Sequence, residues 1–509
     1  MANKYYPTIG LEIHAELKTQ TKMFCGCKNN PDEEKPNVNI CPVCMAHPGA
    51  LPVLNKKAIE NVIKVGLAIN GNIADFSEFD RKNYFYPDIP KGYQISQYKN
   101  PIVLGGRLAD MDVTRVHLEE DTANNKHFGP DVGKITDVGR QGIPTSNVCN
   151  SGYSLIDFNR AGVPLMELVT EPHTLDSADE AAKLASNFAK ELQLVLWYLG
   201  VSEANMEKGE MRVEANVSIS TDKKILGTKV EVKNLNSFRS VERAIKYEID
   251  RMAELMENGK GAEIVQETRG WDEGKQKTFS QRKKEGSADY RYFPDPDLPK
   301  MKLHEAFSSE GGSASGGDFS KMRAELPELP AEKRARYQKD FGIKDEDIES
   351  YINDPELGAW FEGFAKFYEN EKDYFKAGSN FLTSDILGIM RKDKKAKLPK
   401  PEHFSKLVKM FITSRLSSRS AKDILALMVS NSFDPEKYAK ENNLMQSDNT
   451  SLISDIIVKK IIPLNHKTIA DYKAGKENAL MSLIGQVMKE TKGSANPQIV
   501  KELLIEFLK

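Results

Sequence analysis

The chain has 509 residues, and its 72 Lys and Arg against 74 Asp and Glu give a formal charge of −2. A chain of this length is too long to fold around one hydrophobic core, so two to four domains are predicted. The near-zero net charge excludes a polycation. With 39% hydrophobic and 29% charged residues the chain is typical of a globular protein. It has no run of 18 apolar residues and no signal-peptide core near its start, so we expect a cytoplasmic protein without membrane contact.

The first strand expected along the chain is "TIGLEIHAELK", in which apolar residues alternate with Glu12, His14 and Glu16. The same alternation recurs in "MRVEANVSIS" (211–220) and "TKVEVKN" (228–234). A period of two means that one face of each strand is buried, which favours an antiparallel sheet with one polar face.

Four of the five cysteines follow directly, with the spacing Cys25-x-Cys27-x13-Cys41-x2-Cys44. Two close pairs can surround a tetrahedral zinc ion, and a site closed by four thiolates is structural. Free or redox-active cysteines are the alternative, although a reducing compartment favours metal over disulfides. Cys149 stands alone in "NVCNSG", and we interpret it as a packing residue.

One helical pattern begins near Ser177 at a capping box, "SADE", and a second has apolar residues at helical spacing from Val241 to Leu255 and stops near Gly259. The Gly/Ser-rich stretch at 306–320 predicts a linker or loop, and a basic run before Pro399 and Pro401 marks a second boundary. The pattern after the linker is helical throughout. We therefore predict an α+β protein: a mainly antiparallel-sheet domain (1–305), a helical domain (321–398) and a helical tail (402–509).

The polar faces of the strands carry an unusual set of ligands. Glu12 and His14 share one side of their strand, "HLEEDTA" adds Glu119 and Glu120, and Glu167 and Glu231 sit among apolar residues, in "PLMELV" and "VEV". Carboxylates suit Mg²⁺ as thiolates suit Zn²⁺. A merely solvated face is the alternative for each strand.

Nucleotide use, if present, needs an uncommon site, because no Walker A motif, dinucleotide-binding glycine motif or nucleophile elbow occurs. Two basic and aromatic stretches, 80–98 and 281–299, are candidates to hold phosphates and a stacked base of a single-stranded nucleic-acid end. The alternative is that their Tyr, Pro and Asp residues only form rigid turns.

Together these stretches resemble one family, the GatB family of aspartyl/glutamyl-tRNA amidotransferase components. The similar segments run from residue 8 to residue 500 in the family's order, and they are "GLEIHAELKT", "RKNYFYPDIPKGYQISQY", "HLEEDTA", "DFNRAGVPLMELVTEP", "VEVKNLNSF", "DYRYFPDPDLP" and "GQVMKETKGSANPQIV". The resemblance implies a cradle-shaped catalytic domain, a helical domain and a YqeY-like tail. The Gly/Ser stretch departs from the usual pattern.

The resemblance also implies a reaction. ATP phosphorylates the side-chain carboxyl of Glu on mischarged tRNA(Gln), or of Asp on tRNA(Asn), and ammonia displaces the phosphate. Ammonia would come from a partner glutaminase of the amidase type, which a small third component of the same amidotransferase bridges to this chain.

The roles that the resemblance assigns are Mg²⁺ ligation by Glu12, His14, Glu120 and Glu231, with Glu119 and Glu167 beside them for a second metal or the ammonia path. Phosphate contacts are expected from Lys82, Arg160 and Lys233. The tail, with 16 Lys and Arg against 12 Asp and Glu, is expected to contact tRNA.

Two other functions remain open at this point. An RNA-binding scaffold would bind tRNA without consuming ATP and would not need the acidic face. An amidase acting alone would need a nucleophile motif, which the sequence lacks.

Overall fold

The computed structural model describes residues 4–128, 153–283, 290–307, 319–446, 450–491 and 495–508. These residues divide into two compact units, Met1–Pro330 and Ala331–Lys509. Cys149, most of the Gly/Ser-rich stretch and the middle of the 281–299 stretch lie outside the described residues. No helix within the described ranges is both long and apolar enough to cross a membrane.

All the regular strands of the described residues belong to the first unit. They are β1 (Tyr6–Glu16), β2 (Asn72–Ile73), β3 (Phe76–Ser77), β4 (Asp80–Asn83), β5 (Tyr93–Ser96), β6 (Val103–Leu104), β7 (Arg107–Leu108), β8 (Met111–Glu120), β9 (Asn124–Phe128), β10 (Tyr153–Asp157), β11 (Pro164–Thr170), β12 (His173–Thr174), β13 (Met211–Ser220), β14 (Val230–Leu235), β15 (Glu267–Asp272), β16 (Lys277–Lys283), β17 (Phe293–Pro294) and β18 (Met301–Lys302).

The main sheet has the order β16-β15-β14-β13-β1-β11-β8-β6-β2, with β12 beside β1 and β7 beside β8. Every pair in it is antiparallel except β14 and β15. The expected antiparallel sheet is therefore confirmed with one exception. β1 lies at its centre, hydrogen-bonded to β13 on one side and β11 on the other.

Three helices of the first unit pack on the apolar face of this sheet: α1 (Lys56–Ala68), α2 (Ala178–Tyr198) and α3 (Phe238–Glu257). The capping residue Ser177 accepts a hydrogen bond from the Glu180 amide, as predicted. The chain leaves α3 through Gly259 at φ +71°, a conformation that suits glycine. Short helices Gly261–Glu263 (3-10), α4 (Leu303–Phe307) and α5 (Ser320–Ala324) complete this unit.

The second unit is helical, and its described residues contain no strand, only isolated bridges such as the one between Leu416 and Met445. Its α-helices are α6 (Pro330–Asp340), α7 (Asp345–Asn353), α8 (Pro355–Ala365), α9 (Lys372–Asn380), α10 (Leu387–Lys392), α11 (Pro401–Ile412), α12 (Ser418–Ser430), α13 (Pro435–Glu441), α14 (Thr450–Ile456), α15 (Ile462–Leu464), α16 (His466–Lys473), α17 (Glu477–Glu490) and α18 (Pro497–Leu508), with π-helical turns at Phe381–Ile386 and Ile457–Ile461. The predicted α+β class, sheet first and helices after, is confirmed.

Packing inside the second unit runs across residue 400. The buried ring of Phe404 in α11 lies 5.0 Å from the ring of Phe364 and 5.1 Å from that of Trp360, both in α8. Residues 453–508 form a separate apolar cluster around Ile457, Leu483 and Leu504.

Candidate active site

The polar face of the main sheet is built by alternation along its central strands. Ile9, Leu11 and Ile13 of β1 are buried in the core beneath the helices, so Glu12, His14 and Glu16 face the other side. The cross-strand register then brings in partners from both neighbours: Glu12 lies opposite Glu214 of β13, and His14 lies opposite Glu167 of β11. Glu12 and His14 share a face, but they belong to two different groups of ligands.

The first, called here the histidine group, consists of His14, Glu119, Glu167 and His117. The Nε2 atom of His14 lies 3.4 Å from a Glu119 oxygen and 3.5 Å from a Glu167 oxygen, and His117 Nε2 lies 3.1 Å from the same Glu167 oxygen. The other oxygen of Glu119 and the Nδ1 atom of His117 are buried without a hydrogen-bond partner. Buried polar atoms rarely lack a hydrogen-bond partner. Atoms that bind a cation are expected to lack one when the cation is absent.

Electrostatics in this group favour its charged forms. Burial alone would lower the pKa of His14, but the carboxylates of Glu167 and Glu119 outweigh burial and raise it well above its usual value. Burial would raise the pKa of Glu167, yet the two histidines hold it well below its usual range. Lys82 lies beside the same carboxylates. Burial would lower the pKa of its ammonium, but the charges of Glu119 and, to a smaller extent, Glu167 raise it.

The second, called here the carboxylate group, consists of Glu12, Glu214 and Glu231, which offer oxygens within 4.8 Å of one another. Lys233 Nζ lies 2.8 Å from Glu214 and 3.2 Å from Glu231, and these two carboxylates raise the pKa of the lysine against its burial. Asn216 donates to Glu12 at 2.8 Å, which orients that carboxylate. Three carboxylates in one place are the ligand set that a hard cation prefers.

Two of the predicted residues lie elsewhere. Glu120 does not join His14, because it shares the side of β8 that buries Val116 and Leu118; its carboxylate accepts from the Ile95 amide at 2.9 Å and pairs with Lys91 at 2.6 Å. The prediction that Glu120 and His14 converge on one cation is therefore corrected. Arg160 donates to the carbonyls of Thr122 and Ala123, both at 3.0 Å, and so holds the turn after β8.

Two other residues were missed by the sequence interpretation. Glu214 stands on the polar side of "MRVEANVSIS", and its alternation was visible in the sequence. His117 precedes Glu119 by two residues in "HLEEDTA", so the same strand period places both on one face. The strand period thus contained the signal for both residues.

The cysteines form a third group. The Sγ atoms of Cys25, Cys27, Cys41 and Cys44 all lie within 4.8 Å of one another, as a four-thiolate site requires. The hydrogen bond between Cys25 and Cys44 lowers the pKa of Cys44 to about 5 and raises that of Cys25, and burial raises the pKa of Cys27 to about 11. The proximity of the four sulfur atoms fits a zinc ion, whose binding would release the thiol protons.

The two basic and aromatic stretches meet beside the histidine group. β17 pairs with β4, and Arg81 binds Asp295 at 2.7 Å and Asp297 at 2.8 Å. The rings of Tyr98 and Tyr292 stack at 4.5 Å, and Lys82 Nζ lies 5.2 Å from the centre of the Tyr290 ring. Lys82 of the first stretch and Tyr292 of the second both lie close enough to Glu119 and Glu167 to interact with their charges.

A sheet with a polar face followed by a helical unit is the arrangement of a known class of protein. Residues 7–309 match the family described as the GatB/GatE catalytic domain, and residues 360–508 match the GatB domain. The chain belongs to the GatB family of aspartyl/glutamyl-tRNA(Asn/Gln) amidotransferases, as the sequence resemblance predicted.

Relatives named as the GatB component of the aspartyl/glutamyl-tRNA(Asn/Gln) amidotransferase cover the whole chain. The chain is 39% identical to the one from Carboxydothermus hydrogenoformans over 517 residues, which span 99% of each protein. It is 40% identical to the one from Thermotoga maritima over 518 residues, again 99% of each, and 38% identical to the one from Gloeothece citriformis over 520 residues, 98% of this chain and 97% of that protein.

Proposed function

We propose that this chain catalyses the ATP-dependent amidation of Glu on mischarged tRNA(Gln), of Asp on mischarged tRNA(Asn), or of both. The side-by-side placement of the carboxylate and histidine groups on one sheet face, with Lys233 and Lys82 beside them, carries the proposal. A carboxylate is a poor electrophile because its leaving group would be oxide, so activation needs phosphoryl transfer, and transfer needs fixed cationic charge.

The reaction balances in two steps. A side-chain carboxylate oxygen attacks the γ-phosphorus of ATP, and ADP leaves. Ammonia then attacks the carbonyl carbon of the mixed anhydride, inorganic phosphate leaves, and the added nitrogen loses one proton. The departing phosphate accepts that proton, and the ionised Glu119 and Glu167 of the histidine group stabilise the positive charge on the nitrogen before the proton is lost.

The carboxylate group fits Mg²⁺ because it supplies three oxygens and no nitrogen, and Glu12, Glu214 and Glu231 would hold the ion. Mg²⁺ held there would neutralise charge on the transferring phosphoryl group. Lys233 balances Glu214 and Glu231, while Lys82 balances Glu119 and Glu167 and lies where a phosphate oxygen could meet it. The histidine group is the candidate for a second metal or the end of the ammonia path.

Membership of the family supports the remaining parts of the proposal. We infer that a partner glutaminase of the amidase type supplies ammonia, that a small third component bridges it to this chain, and that the complex works in the cytoplasm. The catalytic domain would span 1–305, the helical domain 321–398 and the tRNA-contacting tail 402–509.

The proposal is tested on the complex purified with both partner proteins. Conversion of Glu-tRNA(Gln) and Asp-tRNA(Asn) to the amidated forms is measured with ATP, Mg²⁺ and glutamine, beside ADP formation. We expect amidation of one or both, with one ADP for each amide. Tight tRNA binding without ATP consumption would instead support an RNA-binding scaffold and overturn the proposal.

Zinc content tests the cysteine group. We expect one zinc per chain, and loss of that zinc in Cys41→Ser because three thiolates and a hydroxyl bind it more weakly. The melting temperature of the variant should fall more than its rate of ADP formation, since the site is closed and structural. Metal analysis and calorimetry measure both; equal zinc in the two proteins, or none in either, contradicts the assignment.

The contact between tail and tRNA is tested by truncation after Gln446. This end point removes the 453–508 cluster and keeps Phe404 against Phe364, whereas an end at residue 402 would remove Phe404 and uncover the ring of Phe364. We expect weaker tRNA binding with a shallower salt dependence, because fewer counterions are released, while ATP hydrolysis stays measurable. Unchanged tRNA affinity and salt slope would show that this part of the tail does not contact tRNA.

A further inference from the structure

The loop that joins β4 to β5 holds two aromatic side chains in solvent. The side chain of Phe85 is 92% exposed, and that of Tyr86 is 51% exposed. The loop is nevertheless fixed: the Tyr84 amide donates to the Gly92 carbonyl at 3.2 Å, and the Gly92 amide donates to Ile89 at 3.1 Å. A single exposed aromatic needs no explanation, but two neighbours on a fixed loop form an apolar surface that a ligand can cover.

Gly92 leaves room for the Phe85 ring. It has φ +72°, and a Cβ atom at residue 92 would lie 3.0 Å from a carbon of that ring. One edge of the ring lies near the Gly92 backbone, and with 92% of the side chain exposed its faces are open to solvent. A second ring can therefore cover it without displacing a protein group.

The loop is continuous with the candidate active site. The ring of Tyr84 lies 6.1 Å from that of Tyr290, which also contacts the Lys82 ammonium. Lys82 in turn faces Glu119 and Glu167 of the histidine group. Phe85 is three residues from Lys82, so at most about 10 Å of chain separates the two.

We propose that Phe85, with Tyr86 beside it, stacks on the unpaired 3′-terminal base of the aminoacylated tRNA. This inference rests on the proposed function, in which the amino acid esterified to that nucleotide presents its carboxyl to the acidic face. An amino-acid side chain, its ester and a ribose together span about 10 Å at roughly 1.5 Å per bond, which is of the same order as the largest possible separation of the Lys82 and Phe85 Cα atoms. The adenine of ATP is separated from its γ-phosphorus by a longer tether, a triphosphate and a ribose.

Base–aromatic stacking fits the chemistry of a single-stranded end. Every base has a flat π-face, and loss of one such contact by alanine substitution weakens binding roughly 10- to 100-fold. The terminal nucleotide of a tRNA is unpaired, so its base is free to leave its own stack and cover a protein ring.

The test uses the full complex with both partner proteins and three variants: Phe85→Ala, Phe85→Trp and, as a matched control, Phe279→Ala, which removes a ring 46% exposed on the edge strand β16. We expect Phe85→Ala to raise KM for the mischarged tRNA roughly 10- to 100-fold with kcat and KM for ATP nearly unchanged. Phe85→Trp should retain the wild-type KM, and Phe279→Ala should match the wild type.

A binding measurement separates this inference from the proposed function. Uncharged tRNA carrying 2-aminopurine at its 3′ end should lose fluorescence on binding wild-type complex or Phe85→Trp, since stacking quenches this base, but not on binding Phe85→Ala. An inactive wild type that still quenches the probe would overturn the proposed function alone. Equal quenching by Phe85→Ala, a raised KM for ATP only, or weaker recovery of the partner proteins with Phe85→Ala would overturn the stacking role.

Discussion

Replacing Glu119 by Gln should reduce amidation at least about 100-fold, whereas the same change at its neighbour Glu120 should reduce it less than about 10-fold. The two side chains point to opposite sides of β8. Glu119 contacts His14 and keeps one buried oxygen without a partner, while both oxygens of Glu120 are used by Lys91 and the Ile95 amide. The measurement is ADP and amide formation by the complex at saturating substrates.

Stability provides the control for this pair. Glu120→Gln removes the charge that Lys91 needs in a buried pair, so its melting temperature should fall clearly. The melting temperature of Glu119→Gln should fall less, because Lys82 keeps Glu167 as a partner. If Glu120→Gln were the inactive variant and Glu119→Gln the active one, the histidine group would have no part in the reaction.

The sequence allowed the faces of the strands to be predicted but not the partners that meet on them. Alternation placed Glu12 and His14 on one side, and the structure agrees. Applied to β8, the same rule separates Glu119 from Glu120, because neighbours on a strand face opposite ways. Glu120 was grouped with Glu12, His14 and Glu231 because of the family resemblance, and the strand period alone would have separated it from Glu119.

Which ligands form a group depends on register between strands far apart in the chain. Glu12 meets Glu214 because β1 pairs with β13 about 200 residues later, and His14 meets Glu167 because β1 also pairs with β11. Hydrophobic alternation fixes register only to within two residues, so it cannot distinguish one mixed group from two adjacent groups. The pairing of β4 with β17, which joins the two aromatic stretches, is equally invisible to local patterns.

Arg160 shows the converse limit. In the sequence Arg160 is a basic residue among acidic stretches, and phosphate binding was the role predicted for it. In the structure its guanidinium donates to two backbone carbonyls and lies 3.5 Å from Asp121. Buried carbonyls at the end of β8 need donors, and this requirement appears only once the turn has formed.

The carboxylate group leads to the last expected result. Without Mg²⁺, Lys233 is paired with Glu214 and Glu231, and burial raises the pKa of Glu214. Glu12 lies directly opposite Glu214 on the neighbouring strand and adds a third carboxylate, whose charge repels the other two. Glu12→Gln removes that repulsion and keeps an oxygen for the Asn216 amide. Without Mg²⁺ the variant should therefore melt at the same temperature as the wild type or higher. Mg²⁺ should raise the melting temperature of the variant far less than that of the wild type, because a ligand stabilises a folded protein only to the extent that it binds to it. Its rate of ADP formation with mischarged tRNA should fall at least about 100-fold.

Glu16→Gln is the matched control for Glu12→Gln, on the same strand and face. Burial and the nearby Asp121 raise the pKa of Glu16 to about 8, so near neutral pH this side chain is mostly a neutral acid that glutamine imitates. Its Mg²⁺-dependent melting shift and its rate should stay near those of the wild type. A Glu12→Gln protein that keeps the full Mg²⁺ shift and a near-normal rate would make this face of the sheet a solvated surface. If Glu12→Gln were less stable than the wild type without Mg²⁺, Glu12 would have a structural role. A metal ligand that repels its neighbours in the metal-free protein should instead be stabilising to remove.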